Sequence, residues 1–295
     1  MFIPVATKAN DLIFTDRPLG DSRAMTCTTS STLCASTTIF NAIEAAGEAM
    51  FAIAPEFVVT ENEAISLGKL LRSLKASPAL TVAGTGLTVS NDGYQAWNES
   101  QALNRYGTPL WRQRKIWPAK IDADVAIGLG LPNPGKGKQV VEDTASGSEI
   151  VVADIENVGR CVTFICQDIK IRPLVGDVIE AFQPDWVFVP ILDRGVGPSR
   201  WMQTAAFEHS DLGQSRFLIV SSLSMAEKLG KPTPHFAMAI GPRDISENVG
   251  GGAETDRAIK IIHVREEGHP YADLTWNTSG WLQTSVSVQP WPPDP

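Results

Sequence analysis

The chain has 295 residues, of which 43% are hydrophobic and 20% charged, and its formal net charge at pH 7 is −8. This composition is typical of a globular protein with one large domain or two smaller ones, and it excludes a disordered or fibrous chain. The acidic balance argues against nucleic acid and anionic membranes as partners. No apolar run approaches the roughly 18 residues of a membrane span, so we expect a cytoplasmic protein.

The first half of the chain alternates predicted helices with predicted strands. Residues 25–38 (MTCTTSSTLCASTT) are rich in serine and threonine and predict a loop. The spacing of apolar residues predicts an amphipathic helix over 39–50, and the apolar run at 51–59 predicts a strand. The order then repeats, with a helix predicted over 62–77 and a strand over 79–87.

The second half of the chain is richer in strands. Residues 159–166 and 185–192 predict buried strands on either side of a helix over 174–182. Three more strands are predicted at 216–222, 235–240 and 258–264. Helices that alternate with strands in this way favour an α/β layered fold with mixed sheets.

Four cysteines are too few for a disulfide scaffold and lack the C-x-x-C spacing of a zinc site, so we expect reduced thiols. Cys161 and Cys166 lie on one predicted strand, five positions apart, and therefore point to opposite faces. We expect that only one of them faces the core, and we interpret Cys161 as that residue.

The stretch FICQD (164–168) places Cys166 at the end of an apolar strand. A thiolate nucleophile needs a base and a group that stabilises an oxyanion, and none of the four histidines has a sequence context that indicates such a base. Two other strand ends offer these roles, because Glu56 closes FAIAPE and Lys115 lies in WRQRKIW. The ammonium group is also expected to lower the pKa of the thiol.

These three contexts, in this order, resemble the motifs of the carbon–nitrogen hydrolase (nitrilase/amidase) superfamily. The similar elements are a Pro-Glu strand end (FAIAPEF), an aromatic-basic-Lys segment (WRQRKIW) and a strand from Gly-Arg to Ile-Cys-x-Asp (GRCVTFICQD). The stretch from Cys166 to Pro190 is similar to the family's turn, helix and strand without gaps. The resemblance covers roughly residues 39–265.

The resemblance implies a fold, an assembly and a class of substrate. The expected fold is an α/β, α-β-β-α sandwich with two mixed sheets that can pair into four layers. It would form a single domain over 1–267, divergent over 1–38, with an extended C-terminal arm at 268–295. The family also implies a homodimer or higher homo-oligomer, a small-molecule amide or nitrile-type substrate, and no metal or organic cofactor.

The resemblance also implies catalytic roles. Glu56 would be the general base, Lys115 the oxyanion stabiliser, and Cys166 the nucleophile that forms a thioester. Glu142 matches a second glutamate that orients the lysine, and the backbone N–H of Gln167 would help to hold the oxyanion.

Some of these assignments have alternatives nearby in the sequence. If the family's lysine motif is aligned in another register, Lys120 takes the place of Lys115. Glu149 is the alternative to Glu142 as the second glutamate. Asp168 is interpreted as a cap of the following helix or turn. In a cytoplasmic protein the N-x-S match at Asn98 has no meaning for glycosylation.

The chain departs from the family around the expected substrate pocket. Trp117 stands where the family usually has histidine, and Ile191, Leu192 and Asp193 follow VFVP where a small or aromatic residue is common. These four residues are therefore candidates for an unusual pocket.

Three alternatives to a nitrilase-type hydrolase remain open. The thioester could pass to an acceptor other than water, or the domain could be a catalytically silent module that binds a ligand or a protein. An isochorismatase-like hydrolase with an Asp-Lys-Cys set agrees less well with the Pro-Glu strand.

Overall fold

A computed structural model of the chain describes residues 1–89, 95–231, 235–242, 259–263, 274–277 and 280–283. The strands are β1 (Leu12–Leu19), β2 (Ser22–Thr29), β3 (Phe51–Ile53), β4 (Leu80–Thr88), β5 (Trp97–Asn104), β6 (Pro109–Arg114), β7 (Lys120–Asp122), β8 (Gln139–Glu142), β9 (Val152–Ile155), β10 (Gly159–Thr163), β11 (Trp186–Ile191), β12 (Arg216–Ser221), β13 (His235–Ile240), β14 (Ile259–His263), β15 (Leu274–Asn277) and β16 (Gly280–Gln283). The helices are α1 (Ala35–Ala46), α2 (Glu61–Leu71), α3 (Ala123–Gly128), α4 (Arg172–Phe182), α5 (Trp201–Gly213) and α6 (Ser224–Lys228), with a 3₁₀ turn at Cys166–Lys170.

Two mixed sheets form the centre of the fold. The first has the order β3-β4-β5-β6, and the second has the order β14-β13-β12-β11-β10-β9. Strand β3 is parallel to β4, and β10, β11 and β12 are parallel to one another, while the other pairs in these sheets are antiparallel. Two further sheets, the four-stranded β1-β2-β8-β7 and the two-stranded β15-β16, complete the described strands.

The two central sheets pack face to face through an apolar layer. Ile53 and Val82 of the first sheet share one buried cluster with Phe188 and Val220 of the second. The ring of Phe51 meets that of Phe188 edge-on, with 5.2 Å between ring centroids. Burying each such side chain contributes about 1.5–3 kcal/mol relative to leaving it in water, so this layer is a main source of stability.

Helices cover the outer faces of both sheets. Helices α1 and α2 pack on the first sheet, and α4 and α5 pack on the second. The buried side chains at these contacts include Ile39, Leu67, Ala52 and Ala83 on one side and Ile179, Met202, Val187 and Phe217 on the other. The layers therefore run α-β-β-α, which confirms the predicted fold class.

The predicted loop at 25–38 is wrong. Residues 22–29 form β2, which pairs with β1 in an antiparallel hairpin, and α1 already begins at Ala35. The threonines that suggested a loop are β-branched and suit a strand whose Met25 and Cys27 point into the core. Helix α1 ends at Ala46, because Gly47 adopts a φ of 75°.

Cys161 and Cys166 are both buried, so the expectation that only one of them faces the core is wrong. Cys161 lies in the layer between the sheets, whereas Cys166 follows β10 and lies in the cluster on the helix side. Because both faces of this sheet are covered, opposite directions both lead into the interior.

The strand predicted at 235–240 is confirmed with the same bounds as β13. Within the predicted arm at 268–295 the structure describes the hairpin of β15 and β16, and the rest of that arm lies outside the described residues. The division into a domain and an arm stays a prediction. None of the helices that the structure describes is long and apolar enough to cross a membrane.

Candidate active site

The candidate site lies where the ends of strands from both central sheets meet. The backbone N–H of Glu56, three residues after β3, donates to the carbonyl of Ile191 at the end of β11, with 3.4 Å between nitrogen and oxygen. Cys166 follows β10, the parallel neighbour of β11. The carboxyl ends of β3, β10 and β11 thus bring a carboxylate and a thiol together.

Glu56 is held in place by a close approach between backbones. A Cβ atom on Gly84 would lie 2.2 Å from the carbonyl oxygen of Pro55, and Gly84 also has a φ of +79°. Only glycine meets both conditions. On the other side of Glu56, the N–H of Phe57 donates to Oγ1 of Thr85 over 3.0 Å.

Lys115 is the centre of a buried charge cluster. Its Nζ donates to Oε1 of Glu56 at 2.7 Å and to Oε2 of Glu142 at 2.5 Å, and all three side chains are at most 2% exposed. An ammonium group has three N–H donors, so one remains that can reach a bound oxygen atom. Lys120, the alternative to Lys115, is exposed and lies outside this cluster.

Glu142, rather than Glu149, belongs to the cluster. Besides the contact with Lys115, its carboxylate accepts hydrogen bonds from Oγ1 of Thr144 at 3.0 Å and from the N–H of Ala119 at 2.9 Å. The backbone carbonyl of Glu149 instead accepts a hydrogen bond from the side chain of Gln113. The competing assignment of the second glutamate is therefore not supported.

Asn98 is a member of the cluster that sequence reasoning missed. Its Nδ2 donates to Oε1 of Glu56 at 2.8 Å and to Oε1 of Glu142 at 2.9 Å. Its own backbone carbonyl accepts the N–H of Lys115. The available signal was a polar run, Asn98 to Gln101, inside the buried strand β5, because buried polar side chains need partners.

Burial and neighbouring charge set the ionisation of this cluster. Burial raises the pKa of Glu56 above 4.5, and the nearby Lys115 ammonium offsets this only in part. Burial by itself lowers the pKa of Lys115, but the carboxylates of Glu142 and Glu56 outweigh it and raise that pKa well above 10.5. Lys115 therefore stays protonated, while Glu56 is more basic than an ordinary carboxylate.

Cys166 is buried and neutral at rest. Its backbone adopts a φ of 51°, which is uncommon for a residue other than glycine. Burial, followed by the charge of Glu56, raises the pKa of the thiol well above 9.0, while Lys115 and the N–H of Leu192 lower it by less. Lys115 thus lowers the pKa of the thiol as expected, but burial and Glu56 outweigh this effect. A base has to remove the proton before the sulfur can react.

Asp168 joins the segment after Lys115 to the turn that carries Cys166. Its carboxylate accepts the N–H of Ile165 at 3.3 Å, at the start of the 3₁₀ turn that contains Asp168 itself. The predicted cap of a following helix is therefore wrong, because the N-terminus of α4 at Ile171 has no side-chain cap. It also accepts the N–H groups of Ile116 and Trp117, at 3.2 and 2.9 Å. Burial raises the pKa of Asp168 to about 6, although these hydrogen bonds oppose the shift.

The cluster opens into a cavity of about 230 Å³. We call the part of its lining formed by Glu56, Lys115, Glu142, Cys166 and Gln167 the floor. The exposed lining residues, which we call the mouth, are Lys120, Asp122, Lys170 and Arg194. The other lining residues are Phe14, Met25, Phe57, Ala119, Ile121, Val125, Leu192, Asp193, Arg200, Trp201 and Met225. A carboxylate, a protonated amine and a thiol thus face one small space.

The four predicted pocket residues divide into two pairs. Leu192 and Asp193 line the cavity. Trp117 and Ile191 do not, because the side chain of Trp117 is 53% exposed on the surface while that of Ile191 is fully buried in the core. Trp117 lies in the segment after Lys115, whereas Ile191 is the last residue of β11. Among the described residues, no group of His, Cys, Asp or Glu is arranged to hold a metal ion.

Solved structures with the same fold are known. The chain matches Nit3 of Saccharomyces cerevisiae, a member of branch 10 of the nitrilase superfamily, with a TM-score of 0.51 and 16% identity over 70% of this chain and 74% of that one. It also matches an amidase from Nesterenkonia sp. AN1 in two structures, at TM-score 0.51 over 81% of this chain and 85% of that one. One is a glutamate-to-glutamine mutant with an acetamide moiety on its active-site cysteine (12% identity), and the other is a cysteine-to-alanine mutant with butyramide (10% identity).

The match to these structures rests on shape rather than on sequence. No protein-family model matches the chain, and no curated protein matches it by sequence. The fold is that of the nitrilase superfamily, as the motifs around Glu56, Lys115 and Cys166 indicated.

Proposed function

We propose that this protein is a carbon–nitrogen hydrolase of the nitrilase superfamily that cleaves the amide bond of a small molecule through a thioester on Cys166. One observation carries this proposal. Glu56, Lys115 and Cys166, which come from separate parts of the chain, line the floor of one cavity, with Glu56 and Lys115 in contact at 2.7 Å.

In the first half of the reaction, Glu56 takes the proton of the Cys166 thiol, and the sulfur attacks the carbonyl carbon of the amide. The oxygen becomes an oxyanion, which the third N–H of Lys115 and the backbone N–H of Gln167 stabilise. The Glu56 carboxyl then gives its proton to the departing nitrogen. Ammonia or an amine leaves, and the acyl group remains on sulfur.

In the second half, water enters the vacated space and Glu56 removes its proton as the oxygen attacks the thioester. The tetrahedral intermediate collapses to a carboxylic acid, and the Cys166 sulfur regains a proton from Glu56. Glu142 takes no proton in this scheme. Together with Asn98, it positions Lys115 and Glu56 through the hydrogen bonds described above.

The raised pKa values of Glu56 and Cys166 support general-base catalysis over a preformed thiolate. A neutral thiol does not carry a negative charge in the buried site before substrate binds. A Glu56 carboxylate of increased basicity accepts the thiol proton more readily once the carbonyl is in place.

Ammonia release from a panel of short amides, from acetamide to butyramide, tests the proposal. The wild type should release ammonia, and Cys166→Ala should lose all detectable activity because it has no nucleophile. Cys161→Ala is the matched control, since this thiol is also buried but lies between the sheets, and it should keep activity.

Two results would contradict hydrolysis, and a third would contradict the thioester. Consumption of amide with an acyl product and no free acid would favour acyl transfer. Binding without any turnover would favour a silent module. Equal activity in wild type and Cys166→Ala would exclude the thioester.

A further inference from the structure

The segment that follows Lys115 is anchored by a side chain from the other central sheet. Lys115 comes directly after strand β6, and its N–H donates to the carbonyl of Asn98 at 2.8 Å. The next two backbone N–H groups, those of Ile116 and Trp117, donate to the carboxylate of Asp168. The chain beyond the catalytic lysine is therefore held by a residue of the turn after β10.

The same carboxylate holds the turn that carries the nucleophile. Asp168 is 1% exposed and lies in the 3₁₀ turn that begins at Cys166. Its Oδ2 accepts the N–H of Ile165 at 3.3 Å and that of Ile116 at 3.2 Å, so one oxygen atom contacts both segments. Its Oδ1 accepts the N–H of Trp117 at 2.9 Å. One buried side chain thus joins the segment of the lysine to that of the thiol.

The relative placement of these two segments matters for the reaction. Lys115 and Cys166 reach the cavity from different sheets. In the proposed scheme the sulfur attacks the carbonyl carbon while the ammonium group contacts the oxygen of the same bond, which is only about 1.2 Å long. A misplacement of about 1 Å can lower a rate by about 100-fold. A contact that fixes the distance between the two segments therefore supports the rate of thioester formation.

The ionised form of Asp168 suits this contact, although the fold favours the protonated form. An ionised carboxylate has acceptors only, which match three N–H donors, whereas a protonated carboxyl group places a further donor among them. Burial nevertheless raises the pKa of Asp168 to about 6. The hydrogen-bonding geometry and the stability of the fold thus favour opposite protonation states of this one group.

Few charges act on Asp168 from the elements packed around it. Lys115 lies on the facing segment and favours ionisation. Within the turn, the Cys166 thiol is neutral, and the Lys170 ammonium lies over a tryptophan ring at 4.5 Å from its centroid. Arg172, at the start of α4, forms an ion pair with a glutamate of α5. Of these groups, Lys115 is the one whose position is coupled to Asp168 by hydrogen bonds.

His209 is a second titratable group beside the turn. Its imidazole, on α5, is hydrogen-bonded to the backbone of Ile169, and burial lowers its pKa below 6.5. Its titration therefore has to be separated from that of Asp168 in any pH profile.

We propose that Asp168 is a positioning residue for catalysis, because its carboxylate fixes the Lys115 segment against the Cys166 turn through three backbone N–H groups. This inference rests on the hydrolase activity proposed above and adds a residue on which the rate of that activity depends.

Asp168→Asn tests the inference, since it keeps the size of the side chain but replaces one acceptor oxygen by an NH₂ group. The assay is ammonia release from the short amide that the panel identifies as the best substrate. At pH 8 we expect kcat to fall by about 10–100-fold through misplacement of the reacting groups. KM should change by less than about threefold, because the residues that line the cavity are retained.

The pH profile separates positioning from a merely structural role. The ratio of kcat in the wild type to kcat in Asp168→Asn should be largest at pH 8 and should fall as pH drops through 6, where Asp168 becomes protonated. The stability of the wild type relative to the variant should change in the opposite direction, because a raised pKa makes the protonated form the more stable one. A structural role would move activity and stability in the same direction.

His209→Gln is the control, and its kcat should keep the wild-type decrease near pH 6. Equal kcat in wild type and Asp168→Asn at pH 8, a kcat ratio that does not depend on pH, or loss of the decrease in His209→Gln would overturn the inference. The wild-type profile does not depend on the folding of any variant, and a constant kcat between pH 8 and 5 would overturn it as well.

Failure of the proposed function gives a different result, namely no turnover of any amide by the wild type. The rate at which iodoacetamide alkylates Cys166 then tests the positioning role alone. Lys115 lowers the pKa of the thiol, so Asp168→Asn should slow this alkylation if the carboxylate holds the two segments together. Equal rates of alkylation in the two proteins would overturn the inference.

Discussion

The charged side chains on the floor of the cavity are buried and paired, whereas those at its mouth are exposed. On the floor, the side chains of Glu56, Lys115 and Glu142 are at most 2% exposed, and each has hydrogen-bonding partners. At the mouth, Lys120 and Arg194 stand in solvent without ion pairs within the described chain. Buried charges are stable only when they are paired, whereas exposed charges cost little and are easily replaced. The floor should therefore tolerate no change, while the mouth is free to set specificity.

The largest effect is expected when the central cation of the floor is removed. Lys115→Met leaves Glu56 and Glu142 buried without their counter-charge, so we expect a loss of about 3–5 kcal/mol in the free energy of unfolding. Ammonia release should also disappear. Urea denaturation at pH 7 measures the first effect. Lys120→Met makes the same change at the mouth and should retain stability. Equal losses of unfolding free energy in both variants would contradict the difference between floor and mouth.

Asp168 should make stability depend on pH. Its pKa is raised to about 6 in the folded protein from an ordinary value of 3.8. Its protonation therefore stabilises the fold fully below 3.8, and that contribution is lost as pH rises through 6. At about 1.4 kcal/mol for each pKa unit, the wild type should lose about 2–3 kcal/mol relative to Asp168→Asn between pH 4 and 7.

Urea denaturation of wild type and Asp168→Asn at four pH values tests this prediction. Taking the difference between the two proteins removes the contributions of other titrating groups. A difference that stays constant, or that moves in favour of the wild type as pH rises, would contradict the raised pKa.

Asn98→Ala should weaken catalysis by altering Glu56 rather than by removing a reacting group. The Asn98 hydrogen bond lowers the pKa of Glu56, so its loss should move the acidic limb of the kcat/KM profile to higher pH. We also expect kcat to fall by about 10–100-fold, because hydrogen bonds to charged groups contribute roughly 1.5–3 kcal/mol. Asn104→Ala, at the other end of β5, is the control and should leave the pH profile in place.

The smallest effect is expected at the mouth. Arg194→Gln should change the free energy of unfolding by less than about 0.5 kcal/mol, as is usual for exposed positions without special contacts. A loss above about 2 kcal/mol in urea denaturation would show that this guanidinium supports the fold.

The sequence predicted those site residues that their neighbours along the chain identify. Glu56, Lys115 and Cys166 each follow a strand, and residues beside each one identify it, such as Pro55 before Glu56. The position of Asn98 was not predictable in this way. Its role depends on two glutamates 42 and 44 positions away along the chain, and no residue next to it marks that contact.

In the fold, too, some elements were predictable from local sequence and others were not. Strands β11, β12 and β13 were predicted well because they are apolar along nearly their whole length, as expected for strands covered on both faces. Strand β5 was missed because its buried residues from Asn98 to Gln101 are polar. Asn98 and Glu99 pair with side chains of other elements. The lowering effect of Lys115 on the thiol pKa was predicted, but the net increase was not, since it depends on burial that a sequence does not show.

Labelling with fluoroacetamide, followed by peptide mass spectrometry, tests the central claim most directly. Cys34 is exposed, whereas Cys166 is 4% exposed with a raised pKa, so unassisted alkylation would favour Cys34. If Cys166 is the nucleophile, it should be labelled first in the wild type, and Cys166→Ala should leave Cys34 as the main site of labelling. Labelling of Cys34 ahead of Cys166 in the wild type would contradict the assignment of Cys166 as the nucleophile.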